Sequence, residues 1–426
     1  MRAFPLLLGA AFASWSAEAA DFSKEISSLL TDHKLLAAAR ADVARAGETA
    51  KAAWGDWYPD LSSTSHAGHE HTSKPDDVNT NLPSKYADIK ITQQLWDFGS
   101  SNSKIHQADL TLLQAQAGLI NTTQTLLLSA VTAHLELLKA YKVVDFAKGS
   151  VDNIKRQTEL ESSLVERGGG IATDVLQAKT QLAAAESRHV RAQGTLKNAI
   201  NRYNRVFGHF PDDLKGLTQL AAPVGLLPES LDASLDLASK DNPQVKAASL
   251  SAQIAEAQIT QARADGFLPQ LNLVGSSIYK EDYAGTNGSR TEHMIKAEMT
   301  YSLDLGLTAI NTLKATEEGQ SAAVSRYGAT LDDVQEAVRN AWDNYETARL
   351  NLEHLQNQTN IANEFLELAR RERGMGNRSL IDVLSGETAL INASADAAAA
   401  ETDVAIAGYT LLAALGQLNE TSFAVE

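Results

Sequence analysis

No cysteine occurs in the chain, which excludes disulfides, thiolate metal sites, a cysteine nucleophile and lipidation of an N-terminal cysteine. Positive charge is short: 37 basic residues against 53 acidic ones leave a net charge of -16. A nucleic-acid partner needs a basic face, and that class is excluded. Long apolar runs are also missing, since none reaches the roughly 18 consecutive residues of a spanning helix. If the chain crosses a membrane, it must do so as a β-barrel. Its 426 residues have room for two to three domains of roughly 150 residues.

Proline is scarce and clustered. Of nine prolines, none lies between Pro83 and Pro211 and none follows Pro269. The strongest helix breaker is thus absent from two stretches of over a hundred residues. Both are rich in Ala, Leu, Gln, Glu and Lys, good helix formers. At the N-terminus, Arg2, an apolar stretch through Ala13 and the small-x-small Ala17-Glu18-Ala19 form a secretory signal. Cleavage is expected after Ala19, so residues 1–19 are assigned as signal peptide and the mature chain as exported.

What the sequence does have is an internal repeat. The segment from Ala50 to Leu61, containing Trp54-Gly55-Asp56-Trp57-Tyr58-Pro59, recurs from Thr260 to Leu271, containing Phe267-Leu268-Pro269. Asp97-Phe98-Gly99 recurs as Asp304-Leu305-Gly306, Asp174-Val175-Leu176 as Asp382-Val383-Leu384, and Phe207-Gly208 as Leu415-Gly416. Four matches in order at one spacing define two colinear halves, 20–210 and 243–416. Between them lies a proline-bearing linker, 211–242, and residues 417–426 form a short tail.

Each half opens with an Ala-rich helix, 22–57 and 243–266, that ends at an aromatic turn with proline. A strand pair follows, 58–98 and 268–305. Ile295, Ala297, Met299, Tyr301 and Leu303 alternate with Lys296, Glu298, Thr300 and Ser302, and Ala87, Ile89 and Ile91 alternate with Asp88, Lys90 and Thr92. Period two over about ten residues suits a membrane-barrel strand and the half-buried sheet of a soluble protein alike. His66, His69 and His71 supply imidazoles able to bind zinc or nickel, but this stretch reads as a mobile polar loop with no preformed geometry.

Long helices, 100–166 and 307–373, come next, each about 100 Å at 1.5 Å per residue. Glycine-bearing turns end them: Gly168, Gly169 and Gly170, then Gly374 and Gly376. The returning helices, within 100–207 and 307–415, carry a seam stepping by three and four. It runs Val175, Ala178, Leu182, Ala185, His189, Ala192, Leu196, Ala199, Tyr203, Val206, and repeats 208 residues on from Val383 to Ala414. That is a heptad seam of a coiled coil. His189 aligns with Ala397 and reads as a seam residue, not a ligand. Asp97-Phe98-Gly99 lacks the other parts of a kinase, and Gly168-Gly169-Gly170 lacks the Lys-Ser/Thr of a phosphate loop. No catalytic constellation is found, no cofactor is expected, and the chain is not expected to be an enzyme.

The duplicated halves, the helix-proline-strand junctions at Pro59 and Pro269, the strand ends at Gln94 to Gly99 and Leu303 to Gly306, and the turns from Gly168 to Leu176 and Gly376 to Leu384 together resemble the TolC family of outer-membrane channel-tunnels. The resemblance covers essentially the whole mature chain. It implies a mainly α fold with a small β part. Three protomers pool four strands each into a twelve-stranded outer-membrane barrel, continued by a periplasmic α-helical barrel, with the linker in an equatorial belt. The implied function is an exit duct working with a periplasmic adaptor and an inner-membrane ABC or RND-type transporter, passing secreted protein or small toxic compounds. The turns with Gly168, Gly170, Gly374 and Gly376 are then the periplasmic tips that meet partners. Asp382 projects into the entrance as a ring of three carboxylates, and Arg378 pairs there with an acidic residue, Asp174 being the candidate, to hold the mouth closed. Ser385 stands where the family often carries a second acid, so a single, weaker cation-binding ring is expected. The competing reading is a pore-free periplasmic coiled-coil adaptor or scaffold, which explains the heptads but not two hairpins.

Overall fold

A computed structural model describes residues 11–73, 79–169, 171–303 and 305–423. Residues 1–10 of the expected signal segment, residues 74–78, Gly170, Asp304 and residues 424–426 lie outside the described residues. The chain divides into two compact units, one holding residues up to Ala38, Leu119–Val245 and Leu331 onward, the other Ala39–Gly118 and Lys246–Thr330.

The first unit is helical. Its main elements are α1 (Ala11–Asp32), most of α3 (Ser100–Glu166), α4 (Ala172–Phe207), α5 (Leu231–Asp241), most of α7 (Thr308–Gly374) and α8 (Leu380–Leu415). Corresponding helices match in length: α3 and α7 have 67 residues each, α4 and α8 have 36 each. Both returning helices end on a left-handed glycine, Gly208 at φ 83° and Gly416 at φ 78°, a conformation that a Cβ disfavours. All twenty seam positions of α4 and α8 are buried or half-buried, as a heptad interface requires. A core of Phe22, Ile26, Leu127, Val131, Leu135, Tyr409, Leu412 and Phe423 closes the unit.

The second unit contains α2 (Lys34–Ala53), which starts in the first, then β1 (Asp60–Thr72), β2 (Thr80–Trp96), the start of α3, α6 (Pro243–Phe267), β3 (Gln270–Glu281) and β4 (Ser289–Thr300). The strands form one antiparallel sheet in the order β1-β2-β3-β4. β1 and β4 are its edges.

Two local expectations change, and the linker and tail gain structure. The opening helix expected over 22–57 breaks at His33, whose Nδ1 accepts the Leu35 N–H at 3.2 Å and so caps α2. A 3-10 turn, Trp54–Trp57, then finishes it. The linker 211–242 contains α5, capped by Ser230, whose hydroxyl accepts the Ala233 N–H at 3.3 Å. In the tail, Phe423 is buried with its ring 5.8 Å from Phe22 and 5.4 Å from Tyr409. Lastly, His66, His69 and His71 lie on β1, not in a mobile loop. β2 supplies backbone partners as far as Thr72 opposite Thr80, so the strand continues where the side-chain pattern gives out.

Candidate pore entrance and barrel wall

The turn between α7 and α8 is built by a glycine and a serine. Gly376 takes φ 79° and its N–H donates to Arg373 O at 2.8 Å. Ser379 then caps α8, its hydroxyl accepting the Asp382 N–H at 3.3 Å. The first turn of α8 buries Leu380, Val383 and Leu384 and leaves the Asp382 side chain 49% exposed. Gly168 occupies the matching place after α3 at φ 78°. Gly374 is simply the last residue of α7, with open space where a Cβ would stand.

Arg378 does not reach Asp174. Its guanidinium sits 3.4 Å from Glu372 Oε2 and 3.7 Å from Asp382 Oδ2, over the Phe365 ring at 5.2 Å. Asp174, in the first turn of α4, forms no ion pair among the described residues. The two aspartates thus differ: Asp382 is held beside a cation in the turn just before α8, and Asp174 is not. Local geometry explains this, because the turn between α7 and α8 brings Arg378 beside both Glu372 at the end of α7 and Asp382 at the start of α8.

The ion pairs that join different helices near these turns lie a little deeper, and sequence reasoning missed them. Arg373 Nη2 on α7 is 2.9 Å from Glu161 Oε2 on α3. Arg370 Nη2 is 2.8 Å from Glu387 Oε1 on α8, and Gln157 of α3 donates to the same oxygen at 3.4 Å. Glu387 is 2% exposed, and its Oε2 has no partner. Charges on heptad-flanking positions of facing helices were the available signal. Exposed apolar side chains surround the turns: Leu164, Ile171, Leu176 and Met375.

In the other unit, the sheet has one apolar and one polar face, and the apolar face is the exposed one. Along β2, Lys85, Ala87, Ile89 and Ile91 are exposed while Ser84, Tyr86, Asp88 and Lys90 are buried or half-buried. The registers Leu61↔Ile91, Ile91↔Gly275 and Gly275↔Ile295 extend the exposed face across all four strands with Leu61, Leu273, Ile295 and Met299. The opposite face carries Lys90, Lys280, Arg290, Glu292, Lys296 and Glu298, with Lys280 Nζ 3.0 Å from Glu292 Oε2 and further pairs Arg290–Glu292 and Lys296–Glu298. A water-soluble sheet turns its polar face outward; this one has its apolar face exposed, the arrangement of a membrane-barrel strand.

The junction from β2 to α3 is structured by Asp97, which the sequence marks only as part of a repeated triplet and a strand end. Its carboxylate accepts the N–H groups of Gly99 at 3.1 Å and Ser101 at 2.5 Å, and the Gln94 amide at 2.9 Å. Burial raises its pKa, but the hydrogen bonds from Ser101, Gly99 and Gln94 outweigh this and hold it below the usual carboxylate range. Gly99 takes φ 100°; in the second half Leu307, not Gly306, takes the positive φ, 62°. Pro59 and Pro269 each precede a strand by one residue, where their missing N–H costs no ladder bond.

A four-stranded sheet with an exposed apolar face, together with long paired helices that turn back on glycines, defines the class of outer-membrane channels. The chain belongs to the outer membrane efflux protein family, whose profile matches residues 26–209 and again 234–417. The two matches begin 208 residues apart, the spacing of the internal repeat. Among relatives, it is similar to the outer membrane protein TolC of Escherichia coli, 27% identical over 360 residues, 80% of this chain and 71% of that protein. It is also similar to the alkaline protease secretion protein AprF of Pseudomonas aeruginosa, 23% identical over 343 residues, 78% of this chain and 69% of that protein. The solved outer-membrane channel OprN superposes with a TM-score of 0.79 at 20% identity, covering 95% of this chain and 92% of the other. The protein is an outer-membrane exit duct extending into the periplasm.

Proposed function

We propose that three copies of the chain form the duct, each giving four strands to a twelve-stranded barrel and its coiled coils to a periplasmic tunnel. It passes secreted protein or small toxic compounds delivered by an inner-membrane ABC or RND-type transporter through a periplasmic adaptor. The observation that carries this is the sheet: its apolar face is exposed and both edges, β1 and β4, are unpaired. Four strands cannot close on themselves, and pooled strands remove the edges.

The turns at Gly168 and Gly376 form the entrance. Three Asp382 carboxylates make an acidic ring that attracts cations and repels anions. Arg370–Glu387 joins α7 to α8, and Arg373–Glu161 holds that pair against α3 in the closed state, while Arg378 orients Asp382. The exposed Leu164, Ile171, Leu176 and Met375 offer the adaptor an apolar surface. Similarity to a protease-secretion protein favours protein among the cargoes.

Fractionation with native gel analysis tests the assembly. An outer-membrane trimer resistant to heat in detergent is the expected result. A periplasmic, non-trimeric protein would leave the scaffold reading standing instead.

A further inference from the structure

Three histidines lie on the exposed apolar face of the sheet near the hairpin ends, and all three belong to its unpaired edges. His69 and His71 are two apart on β1, hence on one side of the strand. They share that side with Leu61, and the registers Leu61↔Ile91, Ile91↔Gly275 and Gly275↔Ile295 place His293 of β4 on the same face. None of the three forms a hydrogen bond, ion pair or ring contact among the described residues. His66 differs: it is on the polar face, stacked on Tyr86 at 4.8 Å. Within one protomer, no group of three metal-binding side chains exists among the described residues.

Closing the barrel changes that. β1 of one protomer must run antiparallel to β4 of the next, and the apolar faces must be continuous, so the register moves only in steps of two. Level strand ends set Asp60 opposite Thr300 and His293 opposite Ala67, diagonal to His69. β1 begins at Asp60, opposite Thr92, while β2 runs on to Trp96. A tilted barrel continues this stagger in the same sense. Further steps of two in that sense bring His293 opposite His69 or His71. Every such register leaves His293 opposite or diagonal to a histidine of the neighbouring protomer. Directly opposed Cβ atoms stand roughly 5 Å apart and diagonal ones about 7–8 Å, within reach of imidazoles sharing one ion.

Resting on the trimeric-barrel reading, we propose that His69 and His71 of one protomer and His293 of the next bind a divalent transition-metal ion at each seam, on the outer surface of the barrel. Three neutral imidazoles suit Zn2+, Ni2+ or Cu2+ and not Mg2+ or Ca2+, which require oxygen ligands. Water completes the coordination. The ion staples two edge strands across the seam between protomers.

The test is calorimetric titration of tag-free, EDTA-treated trimer in detergent with NiCl2. Three sites per trimer are expected, with no heat from MgCl2. His69→Ala and His293→Ala should each weaken binding at least tenfold, and His66→Ala should leave it unchanged. A channel-forming trimer that takes up no Ni2+, or binds as wild type after His69→Ala with His71→Ala, would overturn the site alone. Binding insensitive to His293→Ala would overturn its placement at the seam. Folded protein that forms neither trimer nor channel would overturn the duct reading beneath it.

Discussion

Arg373 Nη2 lies 2.9 Å from Glu161 Oε2, tying α7 to α3 with the Glu161 side chain only 7% exposed. An ion pair this sheltered contributes mainly through what its loss leaves behind, a carboxylate with neither water nor partner. Arg373→Ala should therefore cost about 3 kcal/mol locally and loosen the α7/α8 pair, raising single-channel conductance. Adding Glu161→Gln should recover most of the stability, because the stranded charge is gone, but not the closure. Conductance unchanged in both variants would remove this pair from the gate.

The two faces of β4 should respond oppositely to the same charge. Ile295 is 82% exposed on the apolar face, while Met294 beside it points to the polar one. Lysine at a mid-membrane, lipid-facing position costs about 2–4 kcal/mol. Ile295→Lys should sharply reduce the heat-resistant trimer recovered from outer membranes, and Met294→Lys should leave it near wild type. Equal recovery of both would mean that the exposed face does not meet lipid.

Acid should weaken the helical unit through His134. Burial pushes its pKa down to about 4, against a smaller opposing effect of the hydrogen bond with Thr218 O at 2.8 Å. Above pH 6.5 the imidazole is neutral both folded and unfolded, and it contributes nothing to pH dependence. Between pH 6.5 and 4 the unfolded chain takes up the proton and the folded one does not, so stability falls with pH by up to about 3 kcal/mol. Thermal denaturation across this range, compared with His134→Asn, should show that part of the slope lost in the variant.

Glycine substitutions separate conformational strain from crowding. At Gly168, φ 78° is the only obstacle, since a Cβ there meets nothing within 4 Å. Gly168→Ala should cost about 1 kcal/mol. At Gly416, with the same φ, a Cβ would stand 2.8 Å from Asn242 Cα. Gly416→Ala should cost clearly more, above about 2 kcal/mol, as read from denaturation midpoints.

Much of this architecture is legible in the sequence, because it rests on periodicity. The seam from Val175 to Val206 and its copy from Val383 to Ala414 mark the faces that are buried, and the alternation around Ile89 and Ile295 marks the two faces of the sheet. Alternation alone leaves open whether the apolar face meets lipid or a core. That face is exposed only once four strands are registered side by side. The contacts near the helix turns are less readable, since Arg373 and Glu161 are 212 residues apart and no local pattern joins them. The resemblance sets Arg378 against Asp174; the turn in which Arg378 stands offers it Glu372 and Asp382 within ion-pair distance. The histidines of β1 escaped a strand assignment because their neighbours Ala67, Gly68 and Glu70 carry no apolar alternation.

A conduit with a narrow entrance lined by Asp382 should show cation block at a single site. Single-channel recording in planar bilayers tests it directly, comparing wild type with Asp382→Ala while a trivalent cation is added at the periplasmic side. Channels blocked by the cation in wild type and freed from block in the variant are the predicted result. A folded trimer that conducts nothing would contradict the conduit, and block that persists in Asp382→Ala would contradict the ring.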